Sequence, residues 1–204
     1  MAQEKTDRRV RKTQRLLLNG LIELMEQKSI NDITVRELAD RVDINRSTFY
    51  LHYQDIYDMI RHIENDLMTQ FNTLLDSYDH ESNLLTNEEE LRHVIFSLFN
   101  FLAENRAICR ALLSHNGDIK FLNEVSDNVS QRLDTFLRQF INSKYTDYDL
   151  ELVNKYFING CIGLIQQWLN YSDEVFRQTD PHHMTDLFME LLYSGSGIST
   201  TRDA

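Results

Sequence analysis

The chain has 204 residues, 42% of them hydrophobic, which is enough for one or two domains around a real core and too apolar for a disordered protein. Six Gly and one Pro are too few for the many turns of a strand-rich fold. The net charge of −11 argues against a nucleic-acid partner only until its distribution is read: residues 1–54 hold ten Lys+Arg against eight Asp+Glu, and the rest hold eleven against twenty-four.

The N-terminal MAQEKTDRRVRKTQR is basic and has no apolar core, so it does not read as a signal peptide. No apolar run in the chain approaches the ~20 residues that span a bilayer. Residues 8–27 carry Val10, Leu17, Leu21, Leu24 and Met25 at helical spacing. Lys28 to Ile33 breaks that pattern. Thr34 with Glu37 forms a capping box and opens a short helix, VRELADRV, with Val35, Leu38, Ala39 and Val42 on one face. Asp43 ends it, and Asn45 caps a second short helix, RSTFYLHY. Asp55 caps a longer helix whose inner stripe is Ile56, Met59, Ile60, Ile63, Leu67 and Phe71.

A polar gap, DSYDHESN, follows. Asn87 and Glu90 make another capping box, and Glu88, Glu89 and Glu90 suit the positive end of the helix they open. That helix continues through Leu91, Val94, Ile95, Leu98, Phe99 and Leu102. A shorter helix spans about Ile108–Leu113, HNGD is a turn, and a long helix carries Phe121, Leu122, Val125, Val129, Leu133, Phe136, Leu137, Phe140 and Ile141. Further helices are predicted over about 149–171 and from Pro181 to just before Gly195, and SGSGISTTRDA reads as a disordered tail. Cys109 and Cys161 lie in helical, apolar stretches and read as buried free thiols of a reducing cytoplasm.

Two short helices behind a longer one form a helix-turn-helix. Neither short helix is stable alone in water, so they must pack on each other through Val35, Leu38, Ala39, Val42, Ile44, Phe49 and Tyr53. The second would enter the DNA major groove with Asn45, Arg46, Ser47 and Thr48 at its leading end. Arg46 suits bidentate bonding to guanine, and Ser47 and Thr48 suit bases or phosphate. Tyr50 and His52 point outward and suit phosphate. Arg46 as a backbone contact and His52 as a plain surface side chain are the bland alternatives.

The stretch ITVRELADRVDINRSTFYLHYQDIYDMI, residues 33–60, resembles the DNA-binding domain of the TetR family of transcriptional regulators. Thr34, Val35, Leu38 and Ala39 match the first half of the family pattern. Ser47, Thr48, Phe49, Tyr50, His52 and Tyr53 match the second. The resemblance implies an all-α homodimer of about nine helices per chain. Residues 1–54 would be the helix-turn-helix domain and 55–204 a helical ligand-binding and dimerisation domain. Such proteins mostly repress transcription and leave a palindromic operator when a small molecule binds. Carried over, Thr34 would meet phosphate at a helix N-terminus, and Tyr50 and His52 would hold the DNA backbone. Arg8, Lys12 and Arg36 are the basic side chains flanking this face.

Two positions depart from the family pattern. Asp43 stands where the family has Gly in the turn, and Ile56 stands where it often has Lys, which removes an expected phosphate contact and predicts weaker nonspecific binding unless Arg8, Arg9 or Lys12 compensates. An ionic-strength series on Ile56→Lys is the matching test.

In the acidic body, Phe99, Cys109, Phe121, Gln167 and Trp168 are candidate ligand-lining residues, with ordinary core as the alternative. The helices at about 149–171 and 181–193 are candidates for the dimer interface. There Gly160 and Gly163 would admit a close helix, either from a second chain or from the same one. His182-His183 has no partner at ligand spacing, so no metal is expected. No Gly-rich phosphate loop, metal spacing or G-x-S-x-G elbow marks an enzyme, and no cofactor is implied. The competing reading keeps the fold but takes the signal from a protein partner and activates rather than represses.

Overall fold

The structure, a computed structural model, describes residues 2–77, 88–140 and 146–195. Among the described residues there are ten α-helices, a 3₁₀ turn at Ile30–Asp32 and no strand. In chain order they are α1 (Ala2–Met25), α2 (Val35–Arg41), α3 (Arg46–Tyr50), α4 (Ile56–Asp76), α5 (Glu88–Glu104), α6 (Arg106–Leu112), α7 (Ile119–Phe140), α8 (Asp147–Leu169), α9 (Asp173–Gln178) and α10 (Pro181–Gly195). The helix that sequence periodicity does not anticipate is α9, whose six residues give too short a pattern to register. None of the described helices is long and apolar enough to cross a membrane. The Asn87 cap, most of the DSYDHESN gap, the distal stripe of α7 (Leu133, Phe136, Leu137, Phe140, Ile141) and the tail lie outside the described residues or side chains.

Local chemistry sets the helix ends. At α2 the Thr34 hydroxyl oxygen accepts the Glu37 N–H at 3.2 Å, while a Glu37 carboxylate oxygen accepts the Thr34 N–H at 3.1 Å. Asn45 Oδ1 accepts the Ser47 N–H at 2.9 Å and starts α3. Asp55 Oδ1 accepts the Asp58 N–H at 2.7 Å and starts α4. Thr146 and Asp149 exchange the same pair of bonds at the start of α8. Asp43, between α2 and α3, is left-handed at φ 53°, as a turn that suits Gly requires.

The chain forms two compact units, one of Met1–Asp66 with Ala107–Gly163, the other of Leu67–Arg106 with Leu164–Ala204. In the first, Leu17 and Leu21 of α1, Leu38 and Ala39 of α2 and Phe49 of α3 are completely buried. α1 packs tightly against α2 at Gly20, where an added Cβ would run into Val42 Cγ1 and come within 3.1 Å of Leu38 Cδ1. Arg41 also ties α2 back to α1, with Nη1 3.3 Å from a Glu23 carboxylate oxygen.

In the second unit, Trp168 packs edge-on against Phe99 at 5.4 Å and stacks on Phe176 at 4.7 Å. Its indole N–H donates to the Thr179 carbonyl at 2.7 Å. Arg106 lies 3.9 Å over the Phe176 ring and donates to the Leu169 and Tyr171 carbonyls and the Asp173 carboxylate. One guanidinium therefore closes the end of α8 onto α9, its planar fork reaching three separated acceptors that a compact lysine ammonium cannot span. An Arg92–Asp186 ion pair and a Phe96–His182 stack at 4.3 Å join α5 to α10.

Candidate nucleic-acid interface

With only five residues, α3 holds its place through its neighbours. Phe49 is fully buried and meets Tyr53 at 5.7 Å and Tyr50 edge-on at 5.6 Å. Tyr53 is buried in turn. Burial pushes its phenol above the ordinary range, and a hydrogen bond with Gln14 of α1 works against that shift. These two rings anchor α3 to the bundle, as their spacing of four residues on one helix face suggests.

The outer face of α3 is a stripe. Arg46, Ser47, Tyr50 and Leu51 are exposed, and the spacing of i, i+1, i+4 and i+5 sets them on one side of the helix. Tyr50 keeps 58% of its surface exposed and Leu51 82%. Thr48 and His52 are half-buried at the edges of that face. Leu51 is the member that polar and aromatic chemistry in the sequence does not single out; its position four residues after Ser47 is the signal that places it.

Three of the polar residues are already occupied. Asn45 Oδ1 accepts both the N–H and the hydroxyl of Ser47, each at 2.9 Å. The Thr34 hydroxyl donates to Glu37 at 2.9 Å. Glu37 also receives Lys28 at 2.5 Å, and these bonds hold its carboxyl down at about 2, with Lys28 the largest cause. The cap at α2 is therefore fixed from below as well as along the helix. Arg36 is exposed, 3.7 Å from Asp40 across one turn, a pair that water screens to little. On α1, Arg8 and Lys12 are exposed one turn apart.

Ile56, the departure at the start of α4, is buried at 4% exposure. Its side chain serves the core of the first unit, and the next residue, Tyr57, faces solvent with its hydroxyl 3.3 Å from Asn31 Oδ1.

The candidate ligand-lining residues divide between the units. Phe99 and Trp168 are buried partners in the second, where Gln167 is exposed. Cys109 and Phe121 are buried in the first. Both cysteines are free, and burial pushes the Cys109 thiol up to about 12 and the half-buried Cys161 thiol up to about 11.

Residues 17–63 match the family described as bacterial regulatory proteins of the tetR family, and residues 89–194 match the family described as transcriptional regulator C-terminal region. Among curated proteins the chain is similar to the uncharacterized HTH-type transcriptional regulator YxbF of Bacillus subtilis (strain 168), with 22% identity over 152 residues, covering 74% of this chain. The chain spans only 38% of that relative's length. Among solved structures it is similar in fold to the transcriptional regulator FadR of Bacillus subtilis in complex with stearoyl-CoA, at a TM-score of 0.60 and 18% identity, covering 88% of this chain and 97% of that one. It is also similar in fold to the dihydroxyacetone kinase operon activator DhaS, at a TM-score of 0.52 and 15% identity, covering 91% and 97%.

Proposed function

The chain belongs to the TetR family of bacterial transcriptional regulators, and from that premise we propose that it is a homodimeric repressor that leaves a two-fold-related operator when a small molecule binds. The observation that carries this reading is the exposed stripe of α3 held on the buried Phe49 and Tyr53.

In this reading residues 1–54 bind DNA and 55–204 bind the effector and the second subunit. Arg46 takes the role of guanine reader and Thr48 a flanking contact. Asn45 and Ser47 set the pose of α3, since their mutual hydrogen bonds leave less for bases. Tyr50, His52, Arg36, Arg8 and Lys12 hold phosphate, and Thr34 fixes the end of α2 beside it. Dimerisation through α8 and α10 sets two copies of α3 about 34–36 Å apart, one turn of DNA. Effector binding in the helical body, with Phe99, Gln167 and Trp168 of the second unit or Cys109 and Phe121 of the first as candidate lining, tilts α4 and changes that spacing. A differential affinity of a few kcal/mol suffices for release. The stearoyl-CoA held by the similarly folded FadR makes long-chain acyl thioesters the first class to screen.

A second reading has one supporting observation: DhaS, similar in fold, is an operon activator. Here the same α3 face would act on DNA only with a protein partner. Fluorescence anisotropy of the pure protein separates the two, using DNA from upstream of its own gene against scrambled duplex over a salt series. Specific binding with a steep salt dependence, lost in Tyr50→Ala, is expected. No preference over scrambled duplex would sink the autonomous repressor and leave the partner-dependent regulator.

A further inference from the structure

The exposed face of α3 carries one apolar side chain among its polar ones. Leu51 continues the helix in right-handed backbone, φ −73° and ψ −17°, and stands one turn beyond Ser47 with 82% of its surface in water. Phe49 and Tyr53 supply the anchor to the bundle, so Leu51 is not needed for packing. The polar capacity of this face is also reduced, because the Ser47 N–H and hydroxyl both already donate to Asn45 Oδ1. With Tyr50 assigned to phosphate, Arg46 and Leu51 are the long side chains of the stripe left to meet a groove floor. The major groove offers one apolar group, the C5-methyl of thymine.

We propose that Leu51 is a specificity-determining residue that recognises a thymine through its methyl group. This rests on α3 being the base-reading helix. Arg46 and Leu51 are five residues apart, roughly 7.5 Å along the helix at 1.5 Å per residue. The guanine read by Arg46 and the thymine read by Leu51 then lie about two base-pair steps apart in each half-site.

The test selects duplexes from a random-sequence pool with the pure full-length protein, then replaces each thymine of the selected half-site in turn by deoxyuridine, which lacks only the methyl. One position is expected to weaken wild-type binding about fourfold per half-site, the value of one buried methyl group. Leu51→Ala is expected to bind thymine and uracil equally there, and Leu51→Met to keep the discrimination. Affinity for scrambled duplex should match across the three proteins, since Leu51 makes no phosphate contact. The same uracil penalty in wild type and Leu51→Ala, or no penalty at any thymine, overturns the proposal while leaving α3 as the reader. If no sequence is enriched from the pool, autonomous base reading by α3 fails, and the proposal for Leu51 falls with it.

Discussion

The Asn116 side-chain amide donates to the Met25 carbonyl oxygen at 3.1 Å, at the C-terminal end of α1. The Asn116 carbonyl accepts the Ile30 N–H at 3.0 Å, and Arg110 of α6 pairs with Glu26 beside it. The turn between α6 and α7 is thereby fastened to the point where α1 hands over to the short helices. The Met25 carbonyl is one of the helix-end acceptors that no residue of its own helix can satisfy.

Asn116→Ala should therefore destabilise the first unit by about 1–2 kcal/mol, the cost of leaving a part-buried acceptor unpaired. Asn116→Asp should be at least as damaging, because a carboxylate has no proton for Met25. Urea unfolding of the three proteins measures this, and equal midpoints would show that water replaces the amide. Gly117 next door has its own constraint: a Cβ there would run into the Leu112 backbone carbonyl.

Glu64 of α4 makes stability depend on pH. Its Oε1 is buried without a hydrogen-bond partner, and burial, with Asp118 and Glu124 nearby and only Arg61 opposing, raises its carboxyl from the ordinary 4.5 to about 7. Below 4.5 the group is protonated whether the chain is folded or not and has no effect. As pH rises from about 4.5 to about 7, the unfolded chain releases the proton first, so stability falls through that window and stays lower above it. Glu64→Gln should match wild type near the acid end and exceed it at pH 8 by about 1 kcal/mol, a figure discounted for the half-exposed side chain. Unfolding midpoints of both proteins from pH 4.5 to 8 decide it; parallel curves would mean that Glu64 finds a solvated pose.

Gly20 should tolerate no side chain. Val42 is β-branched and stiff, so it cannot swing away from a new Cβ as a lysine tip would. Gly20→Ala should cost about 1–3 kcal/mol as an overpacked contact, despite alanine's better helix propensity. Because α2 carries α3, operator affinity should fall with it. A variant more stable than wild type would show that α2 can retreat without loss.

What the sequence discloses here is local. Thr34, Asn45 and Asp55 each bond the N–H groups two or three residues ahead, so their caps are legible without any tertiary information. Phe49 and Tyr53 are legible because, four residues apart, they share one face of a short helix that must pack to be stable. Gly20 is harder to see, since a glycine in an apolar helix is meaningful only when the crossing helix is in place. Ile56 shows a conflict between two readings of one residue. It lies on the inner stripe of α4 and also fills the position of a phosphate-binding lysine, and its burial at 4% decides for the core. An Ile56→Lys variant would bury an ammonium ion, so its salt series would report folding as well as phosphate contact. Tyr57, 49% exposed, is the better host for an added lysine.

Among the described residues, nothing lies within 4 Å of a Cβ added at Gly160 or Gly163 of α8, so the described packing gives no reason for them. Each costs its helix roughly 1 kcal/mol relative to alanine. The same helix exposes Tyr148 at 81%, Leu152 at 70% and Tyr156 at 79%, spaced by four residues along one side. Apolar side chains beside small residues on one exposed face suit the close approach of a second copy. Gly163→Leu should then leave the far-ultraviolet circular dichroism of the chain unchanged while raising the dimer dissociation constant at least tenfold in sedimentation equilibrium, about 1.4 kcal/mol. Operator affinity should fall more steeply than that, because two linked reading heads bind with an effective concentration that separate ones lack. If Gly163→Leu stays dimeric and gains thermal stability, the glycines face only water, and the proposed dimer does not form through this face of α8.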